Sequence, residues 1–175
     1  TNGLTIENGG YVTVVGFYSV KGYKVLIKGE NLTEENIQQI LDDHKFLISF
    51  YGNVFDLPFL QKEFPNLQID HIPHFDLFFG GKRLGIQCGL KKLETLFLIE
   101  REERLKGLNG YDAVKLWKSY LNGSIESLET LISYNRADTE NLLQLAKIFY
   151  EMLRTQAGIE EFISNGAKRI SQKVS

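Results

Sequence analysis

Residues 46–51, FLISFY, are apolar along almost their whole length and stop at Gly52. A strand with apolar side chains on both sides of its pleat has to be covered on both faces, as in a sheet packed between helices. The flanking segments fit that environment. Residues 11–20 (YVTVVGFYSV) and 23–28 (YKVLIK) are rich in β-branched and aromatic residues and are parted by Lys21-Gly22, the pattern of a hairpin. Thr33 can then cap a helix with Ile37, Ile40 and Leu41 as its apolar face, and Asn36 stands where a capping box would have Glu or Gln. After Gly52, residues 54–63 read as a helix that tolerates Pro58 in its first turn and is closed by Pro65. Residues 74–79 (HFDLFF) suit a short strand or a strand-to-helix junction, with Gly80-Gly81 breaking it.

The remainder is predicted to be helical over residues 90–98, 111–121 and 124–155. Apolar residues recur three and four apart there, most clearly at Leu142, Leu145, Ala146, Phe149 and Leu153. Gly107, Gly110 and Gly123 mark the joints, and residues 156–175 form a short helical tail with a basic, Ser-rich end. This order predicts an α/β or α+β sheet with helices on both faces and a helical C-terminal half.

The 175 residues suffice for one domain and one core. With 43% hydrophobic and 24% charged residues the chain is of the soluble globular class, neither disordered nor fibrous. No stretch approaches the roughly 20 apolar residues of a membrane span, and the start TNGLTIENGG lacks the basic and apolar regions of a signal peptide, which predicts a cytoplasmic protein. The single Cys88 excludes an internal disulfide and is expected to pack as a small hydrophobe; three scattered histidines give no structural zinc site. A net charge of -2 argues against coating nucleic acid through bulk basicity. It leaves open an enzyme that holds cations with carboxylates and meets phosphates through them.

Two segments carry chemistry. In GNVFDLPFL, Asp56 sits among apolar residues just beyond the buried strand, so it needs a cation, a donor set or exposure to stay ionised. An acid favoured by a helix N-terminus is the structural alternative. In YNRAD, Tyr134 and Asp138 are four apart and project from one helix face, beside the stripe of Leu142, Ala146 and Phe149. A carboxylate there can hold a divalent metal while the phenol orients a water towards phosphorus. Taken alone, a helix acid with an aromatic neighbour explains the motif equally well.

In this order and about 80 residues apart, the two segments resemble the second and third motifs of the DEDD superfamily of 3'-5' exonucleases, in its tyrosine-containing branch. The chain is similar to YprB-like predicted nucleases and, more distantly, to proofreading domains of family-B DNA polymerases. HFDLFF, LKKLETLF, LKGLNGYDAVKLWKSYLNG and LISYNRADTENLL extend the resemblance to about Tyr150. It implies an RNase H-like mixed β-sheet flanked by helices, acting as a metal-dependent 3'-5' exonuclease on DNA or RNA with a 3' end, single-stranded by expectation. Two Mg²⁺ or Mn²⁺ ions would be held in part by Asp56 and Asp138, and Tyr134 would position the attacking water.

The family's other two acids form an Asp-x-Glu on its first strand, often followed by Thr-x-Gly-Leu. Thr1-Asn2-Gly3-Leu4 matches that sequel, so the resemblance places the first strand ahead of Thr1 and the exonuclease domain over residues 1–155. By the same resemblance Leu4 would lie against the terminal base. Asn53 and Phe55, beside Asp56, and the basic Lys91 and Lys92 are further candidates for substrate contact. Tyr51 stands where the family usually has Asn.

Asp76 is expected to be a helix or turn cap rather than a metal-site neighbour, and His74 a packed or capping residue rather than a proton carrier. Lys82 and Arg83 could bind phosphates or be solvated, and Trp117 and Tyr120 are expected to pack the helical half. The alternative function is a catalytically inactive RNase H-like module that binds nucleic acid or protein.

Overall fold

The computed structural model describes residues 1–159. Strands β1 (Val14–Ser19) and β2 (Gly22–Ile27) form the expected antiparallel hairpin, with Val14 opposite Ile27 and Ser19 opposite Gly22. Its turn requires φ 101° at Gly22, a conformation that glycine adopts without a Cβ clash. Helix α1 (Glu34–Asp42) starts where Thr33 Oγ1 accepts the Asn36 N–H at 3.2 Å, and it buries Ile37, Ile40 and Leu41. Strand β3 (Leu47–Ser49) is followed by α2 (Asp56–Glu63), which crosses over to β4 (His74–Asp76), and β4 lies parallel to β3. The helical half comprises α3 (Leu77–Arg83), α4 (Leu90–Leu96), a 3₁₀ turn (Glu103–Leu105), α5 (Gly110–Leu121) and α6 (Ile125–Gln156).

The α/β class and the helical second half agree with expectation. The strands, however, form two separate pairs, β1-β2 and β3-β4, rather than one continuous sheet. Helix α6, about 48 Å long at 1.5 Å per residue, lies against both pairs and against α3, α4 and α5. On the opposite side, α1 and α2 bury Ile37, Leu41, Phe59 and Leu60 together with Leu26. Alternate residues of β2 serve the two layers: Leu26 faces α1 and α2, whereas Ile27 packs with Trp117, Leu128 and Leu131 of α5 and α6.

Gly80-Gly81 does not break the chain as expected; both glycines lie inside α3 and are buried. The reason is tertiary. A Cβ on Gly80 would come within 2.8 Å of the Phe75 ring, and one on Gly81 within 3.1 Å of Phe149, so the missing side chains let α3 close onto β4 and α6. HFDLFF is accordingly a junction, strand through Asp76 and helix from Leu77. The expected tail begins at Gln156, the last residue of α6, and residues 160–175 lie outside the described part.

Gly16 is a second close approach. A Cβ there would overlap the Asn135 side-chain oxygen on α6, which itself accepts a 2.8 Å hydrogen bond from the Tyr23 hydroxyl. Gly16→Val is expected to cost about 1–3 kcal/mol, the usual range for overpacking. Urea denaturation would measure it, and a neutral result would mean that β1 and α6 are not held at this spacing.

Candidate active site

Asp56 opens α2 and projects into a cavity of about 860 Å³ that is also lined by Thr1, His74, Tyr134 and Asp138. The two expected segments therefore do converge. Asp56 is solvent-accessible, but the surface that it exposes faces the cavity and is walled by protein. This enclosure pushes the Asp56 pKa up; the Thr1 amino group opposes it, and the charges of Asp76 and Asp138 add to it.

Asp138 is also raised, chiefly by burial, against the pull of Arg101. Its Oδ1 accepts from Arg101 Nη2 at 2.6 Å. Burial, then the Asp138 charge, holds the Tyr134 phenol far above its ordinary range, so its proton stays in place at neutral pH.

Arg101 carries no motif, and sequence reading gave it no role. It lies in the charged run EREER, yet its side chain is only 6% exposed. It bonds Glu94 through Nε (3.2 Å) and Nη2 (2.6 Å) as well as Asp138, and Asn141 Nδ2 donates to Glu94 Oε1 at 2.8 Å. Arg101 Nη1 has no hydrogen-bond partner. Lys91 Nζ lies 4.7 Å from the centre of the Tyr134 ring, likewise without a hydrogen-bond partner, and burial lowers its pKa. The carboxylate pair is thus backed by two cations.

The other expected residues divide. Phe55 lines the cavity and packs on Phe59, ring centres 4.9 Å apart. Asn53 Oδ1 pairs with His74 Nδ1 at 2.9 Å, and His74 Nε2 with Ser49 Oγ at 2.8 Å, so both ring nitrogens are engaged with side chains. Leu4 is exposed and lies outside the cavity lining, as does the exposed Lys92. Asp76 caps both a turn and a helix: its carboxylate accepts from the N–H groups of Tyr51 (2.8 Å), Asn53 (3.1 Å) and Phe78 (3.0 Å). The first of these bonds holds Tyr51 at φ 61°, a strained conformation for a residue with a side chain.

A family model described as RNase_H superfamily, RNase_H_2, matches residues 1–150. The chain belongs to the RNase H superfamily. No match is found among curated proteins or among solved structures. Membership ties this RNase H-like chain to nucleic-acid chemistry, and nucleases of this kind generally use divalent metals such as Mg²⁺. Among the described residues, however, no three His, Cys, Asp or Glu side chains gather to hold an ion, and Asp138 is already engaged by Arg101. Asp56 and Asp138 alone do not make up a two-ion site. No described helix is long and apolar enough to cross a membrane.

Raised carboxyl pKa values have a defined sign. The folded protein binds protons at Asp56 and Asp138 that the unfolded chain, with its ordinary carboxylate pKa, has released. Stability is therefore lost as pH rises from the unfolded pKa through the raised folded value. Without divalent cations, Asp56→Asn is expected to raise the melting temperature at pH 7, and the gain should vanish near the unfolded carboxyl pKa of about 3.9. A gain that persists undiminished there would contradict the burial effect.

Proposed function

We propose that this RNase H-like protein is a metal-dependent 3'-5' exonuclease that hydrolyses phosphodiester bonds at the 3' end of single-stranded DNA or RNA. The observation that carries the reading is the convergence of Asp56, Tyr134 and Asp138 on one cavity in a chain of this superfamily. In it, Asp56 and Asp138 collect cations, Tyr134 keeps its proton and orients a water, and Phe55 offers a ring to a base. Lys91, standing over Tyr134, offers a charge to a backbone phosphate. Two Mg²⁺ or Mn²⁺ ions would supply the Lewis acidity for phosphoryl chemistry. The pair found here needs further ligands for that.

The test gives the full-length gene product 5'-labelled single-stranded DNA and RNA in Mn²⁺. A ladder shortening one nucleotide at a time from the 3' end is expected. Internal cuts, or shortening that persists in excess chelator, would overturn the assignment.

The Arg101–Asp138 ion pair favours a second reading, a catalytically inactive module that keeps nucleic-acid or protein contacts. Calorimetric titration with Mn²⁺ separates the two, since tight binding of two ions is incompatible with the inactive module.

A further inference from the structure

Beside the cavity of the carboxylate pair, two aromatic rings stand open to solvent. Tyr51, which lines the cavity, and Phe79, in the first turn of α3, are 40% and 41% exposed. Their rings lie 26° from parallel with centres 6.5 Å apart, and Phe78 packs edge-on against both, 4.7 Å from Tyr51 and 5.4 Å from Phe79. Single exposed apolar side chains are ordinary, but contiguous rings fixed at the rim of a site mark a surface that something covers.

One carboxylate holds both rings in place. Asp76, itself 4% exposed, accepts from the Tyr51 and Phe78 N–H groups through the same oxygen, Oδ1, and from the Asn53 N–H through Oδ2. The turn that carries Tyr51 and the helix that carries Phe79 are thereby clamped together. Tyrosine is a costly residue at φ 61°, where glycine or asparagine is tolerated better, and strain of this kind gathers at binding and catalytic sites.

The surroundings indicate what the rings receive. Lys82 follows Phe78 and Phe79 by four and three residues, so it rises from the same face of α3, and it is exposed. A flat ring pair with a cation one turn away suits a nucleobase and its phosphate, because every base has a π face that stacks on an aromatic ring. Through Tyr51 this surface is continuous with the carboxylate cavity, and membership of the RNase H superfamily ties that cavity to nucleic acid.

We propose that Tyr51 and Phe79 form a stacking platform for an unpaired base of single-stranded nucleic acid, with Lys82 taking a neighbouring phosphate. The direction of the strand, and that alone, rests on the exonuclease reading: with the 3' end at Asp56 and Asp138, the base on the platform lies on its 5' side. A duplex gains nothing from the rings, since its bases are already stacked on one another. The platform therefore selects an unpaired strand.

The experiment titrates the full-length gene product, in excess chelator and at low salt, with a 5'-fluorescein single strand of about 12 nucleotides and with the same strand made abasic. The abasic strand keeps every phosphate, so the ratio of the two affinities reads stacking and leaves charge out. Tyr51→Leu and Phe79→Leu are each expected to lower that ratio by about 5-fold or more, the loss of one stacked base. Leucine keeps apolar bulk against Phe78 and leaves the backbone strain at position 51 in place, so what it removes is the flat ring. Phe79→Trp should keep the ratio, and the strand with bases should quench its indole emission where the abasic strand does not. An unchanged ratio in either leucine variant would overturn the platform. So would a dimer of the parent that Phe79→Leu dissolves in sedimentation, since a second copy would then cover the rings. Nothing is cut in this assay, so a ratio that both rings carry, in a protein that releases no nucleotide in Mn²⁺, counts against the exonuclease reading alone.

Discussion

Asp138→Asn is expected to lower Mn²⁺-dependent cleavage by about 1000-fold, the loss typical of removing a group that stabilises charge in the transition state. It should leave folding stability within about 1 kcal/mol of the parent. The two readouts separate because of how Asp138 is held. Asparagine keeps an oxygen where Arg101 Nη2 donates, and Arg101 retains its two bonds to Glu94. Burial already disfavours the Asp138 charge, so losing that charge also relieves a desolvation cost. Unchanged cleavage would sink the assignment of Asp138 to the reaction. A large fall in melting temperature alongside lost cleavage would instead make Asp138 a structural partner of Arg101.

Glu94→Ala is expected to cost about 3–5 kcal/mol of folding stability, the range for breaking a buried ion pair from one side. The Glu94 side chain is 5% exposed and accepts three hydrogen bonds, two from Arg101 and one from Asn141. Without it, a guanidinium that already leaves Nη1 unpartnered keeps only Asp138. Guanidinium chloride unfolding would measure the loss. Replacing Glu94 and Arg101 together by leucine and methionine should restore only part of it, because the stranded guanidinium is gone but Asp138 loses its donor. A single-variant cost under about 1 kcal/mol would mean that water reaches Arg101 more freely than its burial implies.

What the sequence discloses here is local. The hairpin, the Thr33 cap and the Tyr134–Asp138 spacing rest on neighbours within a few positions, and the structure keeps each of them. The misread parts depend on distant chain. Gly80-Gly81 has the composition of a break, and only the rings of Phe75 and Phe149 make it the middle of a helix. Arg101 has no local signature because its partners stand 7 and 37 positions away. Leu4, which the resemblance sets against a terminal base, is exposed and lies outside the cavity lining. Asp56 illustrates the middle case: its neighbours announce a charge in apolar surroundings, but only the fold brings Asp138 close enough to influence it.

Helix α6 lies last among the described elements and lies against both strand pairs and three other helices. On the ribosome the hairpin and the β3-β4 pair emerge long before the surface that covers them. Each is a two-stranded unit, marginal in water by itself. The α6-facing side of both pairs therefore stays uncovered until α6 has left the exit tunnel, an interval in which exposed apolar surface and open strand edges favour aggregation.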